Sequence, residues 1–205
     1  MVEDNQGEDA LRAVRLDKIG ALRKLGVEPY PYSFAVTASA AELAKRYESL
    51  PAKAETQDRV AIAGRIRSNR NSGMFIDLHD ASGKIQVFSH KDILSEAGMA
   101  VVGLLDIGDL IGVEGLIRRT PRGELTVNAE KVTLLAKALR PLPEKYHGLA
   151  DIETRYRQRY VDLIVTEQSR GTLRKRSQVI SVFRRVLAER GALEVETPML
   201  HTIPG

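Results

Sequence analysis

Over residues 8–25 the apolar positions Leu11, Val14, Ile19, Leu22 and Leu25 recur at roughly helical spacing before Gly26, Pro29 and Pro31 break the run. This predicts an amphipathic helix. A second, short helix is predicted from Ser39 to about Leu50: Glu42 follows Ser39 at the spacing where hydroxyl and carboxylate cap a helix reciprocally. From Asp58 the period becomes two. Val60, Ile62 and Ile66 fall on one face and Arg65 and Arg67 on the other, the alternation of a half-buried strand. Met74, Ile76 and Leu78 then alternate with Phe75, Asp77 and His79, Asp80-Ala81-Ser82-Gly83 has the residues of a type I turn, and Ile85 and Val87 return opposed by Gln86 and Phe88. Residues 91–105 read as helix. Two further strands, about 109–118 and 124–134, flank Thr120-Pro121-Arg122-Gly123, a tight-turn sequence.

Five strands with a helix between the third and fourth is the order of the OB-fold, a small Greek-key barrel that binds oligonucleotides over strands 2 and 3 and the neighbouring loops. If Met74, Ile76 and Leu78 fill such a barrel, Phe75 points outward beside Gln86, flanked by Arg67 and Arg70. A ring for stacking, an amide for a base edge and guanidiniums for phosphate suit single-stranded nucleic acid. The pattern leaves a second reading open, in which Phe75 is covered by the N-terminal helices.

Beyond the barrel, residues 136–150 hold Pro141, Pro143 and Gly148 and read as a linker. The segment 152–164 is arginine-rich, with Arg155, Arg157 and Arg159, and Thr166 is placed to cap a long helix reaching about Glu189. The apolar stripe of that helix includes Leu173, Val179, Ile180, Phe183 and Leu187, which predicts packing on a large partner, or exposure and self-association where the partner is missing. Gly191 ends it, and a short strand is predicted over 193–195. One helix and one strand read as the opening of a domain. The expected organisation is therefore α+β: a helical extension (1–57), a five-stranded OB-fold barrel (58–135), a linker (136–150) and the start of a further domain (151–205).

Composition narrows the chemistry. The chain has 205 residues and no cysteine, which removes disulfides, thiolate nucleophiles and sulfur-based zinc sites. His79, His90, His147 and His201 show no short ligand spacing, so no metal site is expected. Net charge is −1 over 1–57, 0 over 58–135 and +5 over 136–205, so the basic excess is confined to the last third. No long uncharged apolar run is present and Met1-Val2-Glu3-Asp4 lacks a secretory pattern, so the expectation is a cytoplasmic protein with no membrane partner.

The C-terminal residues carry a resemblance. Arg190-Gly191-Ala192-Leu193-Glu194-Val195-Glu196-Thr197-Pro198 resembles motif 1 of class II aminoacyl-tRNA synthetases, a helix, a strand and a proline. Lys137-Ala138-Leu139-Arg140-Pro141-Leu142-Pro143-Glu144-Lys145-Tyr146-His147-Gly148-Leu149 and Arg155-Tyr156-Arg157-Gln158-Arg159-Tyr160-Val161-Asp162-Leu163-Ile164 are similar to the bacterial-type lysyl branch. The resemblance covers nearly the whole chain from Asp9. It implies an OB-fold anticodon-binding domain for tRNA(Lys), with Phe75 stacking on the central anticodon uridine and Gln86, eleven residues later, reading its edge. Arg70 or Arg67 would stand beside them, and Glu124 after the strand 4–5 turn would read a further anticodon base. Motif 1, with Gly191 and Pro198, implies a homodimer interface. The family's reaction is ATP-dependent lysine activation with magnesium and transfer to tRNA. The resemblance places its ATP- and magnesium-binding motifs 2 and 3 beyond Gly205, with Pro204 and Gly205 opening the loop beside the lysine pocket. This chain alone is thus expected to hold no catalytic residue, to bind neither ATP nor magnesium, and to form no aminoacyl-adenylate.

Other chemistry is weaker. Gly103, Gly108, Gly112 and Gly115 fit no phosphate-binding pattern and no serine has a G-x-S-x-G context. Asp77 reads as a solvated strand residue and Asp80 as a turn residue. The cluster Arg170, Arg174, Lys175 and Arg176 reads first as a solvated helix face, and Arg184 and Arg185 as contacts with a partner subunit. The competing function is a free-standing module that oligomerises or binds single strands without sequence preference.

Overall fold

The computed structural model describes residues 3–143, 149 and 151–200. The chain divides into two compact units, Met1–Pro141 and Leu142–Gly205.

In the first unit, helices α1 (Glu3–Lys24) and α2 (Ala40–Arg46) precede β1 (Glu55–Arg70), β2 (Phe75–His79), β3 (Lys84–Phe88), helix α3 (Glu96–Gly103), β4 (Leu110–Arg119) and β5 (Leu125–Ala136). The strands close into a barrel in the order β1-β2-β3-β5-β4, with β3 and β5 parallel and the other pairs antiparallel. This is the five-stranded OB-fold that the period-two runs predict. The alternation sends Ile62, Ile66, Ile76, Leu78, Ile85, Val87, Ile111, Val113, Val127 and Leu134 into one core. Each such aliphatic side chain contributes roughly 1.5–3 kcal/mol on burial. Two glycines have steric reasons. Gly115 lies at a bulge where a Cβ would collide with the Asn128 carbonyl, and Gly73, at φ +96°, would drive one into Val102. The run Asn71, Ser72 and Gly73 is left-handed throughout, with φ of 52° and 54° at the first two.

Several elements depart from the periodicity. The stripe read on α1 is only half correct: Ile19 and Leu22 are buried, but Leu11, Val14 and Leu25 are exposed. The inward face instead includes Arg15, whose guanidinium donates to the carbonyls of Ala138 (2.7 Å), Arg140 (3.0 Å) and Ile107 (3.2 Å). An arginine that satisfies three backbone acceptors is buried without penalty enough to be excluded, and hydrophobic spacing cannot show it. Met74 is only half-buried and precedes the strand, because its backbone closes the left-handed turn by donating to the Asn71 carbonyl (3.1 Å). Helix α3 is shorter than 91–105, because the Ser95 hydroxyl caps it by accepting from Gly98 N–H (3.1 Å). Helix α2 has the predicted capping box but stops at Arg46, four residues short of Leu50.

At the base of the barrel lies a buried ion network. The Lys137 ammonium, fully buried, donates to Asp109 Oδ2 (2.7 Å), Asp106 Oδ2 (2.6 Å) and the Leu104 carbonyl (2.8 Å). Lys18 of α1 reaches the other Asp106 oxygen at 2.6 Å, and Asp109 also accepts the Asp106 and Ala138 N–H groups at 2.8 Å each. Burial alone would raise the Asp106 carboxyl, but hydrogen bonds from Lys137 and Lys18 outweigh it and hold the group below the usual range. The stretch that begins as linker is thus tied to the barrel through Lys137. Residues 144–148 and 150, including Lys145, Tyr146, His147 and Gly148, lie outside the described residues, as do His201, Pro204 and Gly205.

The second unit contains α4 (Ile152–Arg157), α5 (Arg159–Val165) and α6 (Glu167–Glu189). Thr166 stands at the N-cap of α6 as predicted but makes no side-chain capping bond. Gly191, φ +85°, turns the helix end so that its N–H donates to the Ala188 carbonyl (3.0 Å) and Ala192 N–H to that of Leu187 (3.0 Å). The predicted strand over 193–195 is absent: these residues pair with no other strand among the described residues, and a lone strand leaves its backbone groups unsatisfied.

Candidate nucleic-acid interface

Once Ile76, Leu78, Ile85 and Val87 face inward, Phe75 and Asp77 of β2 and Lys84, Gln86 and Phe88 of β3 must face outward. Phe75 is paired with Phe88, and Asp77 with Gln86. Phe75 and Gln86 are therefore diagonal neighbours on one surface, within reach of a single planar ligand. Both line an open cleft of about 780 Å³, together with Arg70, Arg118, Arg122 and Glu124.

The aromatic floor is built in layers. The Phe75 and Phe88 ring centroids are 5.1 Å apart with planes tilted by 49°. Phe88 is stacked on His90 at 5.7 Å, and the Arg118 guanidinium carbon sits 4.2 Å from its centroid. Phe75 is half-buried, resting on Phe88 while bordering the cleft.

Gln86 is oriented from behind. The buried Thr126 hydroxyl, brought alongside by the parallel β3/β5 pairing, donates to Gln86 Oε1 at 3.0 Å. With that single hydroxyl proton on Gln86 rather than on the Glu124 carbonyl, 3.2 Å away, the amide NH₂ is the end left for a ligand. Arg70 Nη2 lies 2.8 Å from Asp77 Oδ1, so Asp77 is an ion-pair partner rather than a merely solvated residue. An exposed pair of this kind adds little stability, but it aims the guanidinium at the cleft wall. Arg67 falls at the bulge in β1 between Ile66 and Ser68 and is not among the residues lining the cleft.

Glu124 is exposed and also lines the cleft. Its backbone is set by the β4–β5 turn: Thr120 N–H donates to the Glu124 carbonyl (3.0 Å), and Glu124 N–H to the Thr120 hydroxyl (3.1 Å). The β2–β3 turn is braced by Asp80, which accepts from the N–H groups of Ser82 (2.7 Å), Gly83 (2.8 Å) and Ala40 at the start of α2 (2.7 Å). Burial pushes this carboxyl up, and the Ala40, Ser82 and Gly83 bonds more than reverse that, leaving it below its ordinary value. Asp80 is the turn residue that the sequence suggests and also the link between α2 and the barrel.

In the second unit the arginines are structural. Arg155 and Arg159 hold the fully buried Asp162 at 3.2 and 2.6 Å. Burial would raise this carboxyl, yet hydrogen bonds from Ser169 and Thr166 and the Arg155 charge keep it below normal. Arg170 is not simply solvated: it donates to the Leu163 and Ile164 carbonyls at 2.9 Å each. Arg184 pairs within the chain with Glu194 at 2.8 Å, and Arg185 with Glu189 at 3.9 Å. The α6 stripe is exposed, Phe183 by 67%.

Phe88 was legible as an outward residue, but Arg118 and Thr126 were not singled out by the pattern. Both reach the site only through barrel closure, for which no local spacing gives a signal.

Two blocks of the chain match known families. Residues 60–135 match the OB-fold nucleic acid binding domain, and residues 151–205 match the tRNA synthetases of class II (D, K and N). The chain thus joins an OB-fold nucleic acid binding block to a block that matches the class II (D, K and N) tRNA synthetases. The chain is 55% identical over 192 residues to the lysine–tRNA ligase of Sinorhizobium medicae, covering 94% of this chain and 39% of that protein. It is 52% identical to that of Rhizobium etli strain CIAT 652 (98% and 41%) and 48% identical to that of a Synechococcus species (95% and 40%). Over 94–98% of its own length the chain is similar to lysine–tRNA ligases, and it spans about two fifths of the length of the curated relatives it matches.

Proposed function

We propose that the cleft binds the anticodon loop of tRNA(Lys), with Phe75 stacking on the central uridine, the Gln86 amide donating to its edge, and Arg70 alongside. Glu124, which also lines the cleft, reads a further anticodon base. Arg67, which is not among the residues bordering the cleft, is the alternative to Arg70. The observation that carries the reading is the diagonal Phe75–Gln86 pair in an open cleft, with the Gln86 oxygen held by Thr126. Uracil offers carbonyl acceptors at its edge, which suits a glutamine whose NH₂ is the exposed end.

The enzyme to which these residues belong activates lysine with ATP and passes it to the tRNA, and motif 1, with Gly191 and Pro198, contributes to a homodimer contact. ATP and magnesium supply the adenylate chemistry. Among the described residues no three His, Asp or Glu side chains gather as a candidate cation site, and no step of that chemistry is assigned to them. No described helix is long and apolar enough to cross a membrane.

The test is binding of an anticodon stem-loop to the Phe75→Ala and Gln86→Ala variants. Phe75→Ala should weaken binding by about 1–3 kcal/mol, the range for one base stack. Gln86→Ala should narrow the preference for uridine at the central position. Unchanged binding in both would refute the proposal.

A further inference from the structure

We infer that Arg118 is a second base platform in the cleft, stacking on an anticodon base next to the one on Phe75. This rests on the proposal that the cleft takes the anticodon loop. The Arg118 guanidinium is held by a ring more than by an anion: its carbon is 4.2 Å from the Phe88 centroid, while its nearest carboxylate oxygen, on Glu55, is 3.7 Å away, too far for a hydrogen bond. Its Nε is buried with no hydrogen-bond partner among the described residues. A guanidinium is planar and stacks on π-faces; Phe88 covers one guanidinium face, and the inferred base lies on the other. Arg118 borders the cleft.

The placement matches the geometry of a single strand. Phe75 and Arg118 both rest on Phe88, at 5.1 and 4.2 Å. Two flat groups share one supporting ring. A base stacked on Phe75 thus brings a neighbour over Arg118, where stacking and cation–π attraction act together. Its side chain is mostly buried, at 21% exposure, so the platform is ordered before RNA arrives.

A phosphate contact would need only the charge, whereas a platform needs the flat face. Arg118→Lys keeps the charge and removes the plane; Arg118→Phe keeps a plane and removes the charge. Stem-loop binding to the full chain is measured for both, with melting curves to establish folding. The platform predicts that Arg118→Lys weakens binding by roughly five-fold or more, whereas Arg118→Phe stays within about three-fold of the parent. An abasic nucleotide at one of the two positions flanking the central uridine should weaken the parent similarly and add nothing to Arg118→Lys. Unchanged binding by Arg118→Lys overturns the inference. So does a loss in Arg118→Phe accompanied by a salt slope reduced by about 0.7, the mark of one phosphate contact to a single strand. The outcomes remain distinguishable from failure of the anticodon reading, in which the parent chain itself ignores the central uridine and Phe75→Ala changes nothing.

Discussion

Replacing Lys137 by Met tests whether the buried network at the barrel base holds the first unit together. Methionine nearly fills the volume of the lysine stem but donates nothing, so three bonds of 2.6–2.8 Å are lost at once. Asp109, fully buried, would keep the Asp106 and Ala138 amides as donors and lose its only counter-charge at hydrogen-bonding distance among the described residues. Asp106 would keep Lys18. Breaking a buried pair on one side costs about 3–5 kcal/mol, and the two remaining amides place this case toward the lower end. Urea unfolding followed by circular dichroism, with the second unit assigned its own transition, should show the loss in the barrel transition. Adding Asp109→Asn removes the stranded charge, so the double variant should lose less than the two single losses combined by at least about 1 kcal/mol. The acid limb should shift as well. Asp106 has a folded pKa below its unfolded value, so its contribution is complete above the ordinary carboxylate range and disappears as pH falls through the lower folded value. Without Lys137 that depression shrinks, so the difference between parent and variant should be full above the ordinary carboxylate range and narrow as pH falls through it. A barrel transition weakened by less than about 1 kcal/mol would refute the argument, since it falls below any cost expected for a stranded buried charge.

Asp80→Ala should cost about 1–3 kcal/mol through its lost backbone bonds and should loosen α2, visible as faster amide exchange at Ala40 and Ala41. Because the Asp80 pKa is depressed, the difference between parent and variant should be full near neutrality and close as pH falls below the ordinary carboxylate range, as pH-dependent melting would show. Gly73→Ala should destabilise by about 1–3 kcal/mol, because the new Cβ meets Val102 in a left-handed backbone; denaturant midpoints check this. Phe75→Ala should reduce stem-loop affinity while shifting the melting temperature little, since the ring is only half-buried.

The barrel was legible because its strands alternate: Ile76 and Leu78 against Phe75 and Asp77 leave one arrangement in which the core is apolar, and Phe75 outward follows. The α2 cap was legible for the same local reason, as Ser39 and Glu42 lie within one turn. Arg15, Lys18 and Lys137 were not, because a buried charge depends on partners 28 to 125 residues away that no local period reveals. Asp162 was hidden in the same way, inside an arginine-rich run that reads as surface. At the cleft, Gln86 could be paired with Phe75 by strand logic, whereas Thr126 behind it required knowing that β5 lies parallel to β3. Arg70 and Arg67 could not be separated by spacing, because the bulge between Ile66 and Ser68 changes which of them reaches the cleft.

The most direct test of the central claim is a salt titration of the chain against a lysine anticodon stem-loop, run beside the same loop with its central uridine replaced by cytidine. Anticodon reading by Phe75 and Gln86 predicts a preference for uridine of about 1 kcal/mol or more that persists as salt weakens both complexes in parallel. Equal affinity for the two loops at every salt concentration would contradict it.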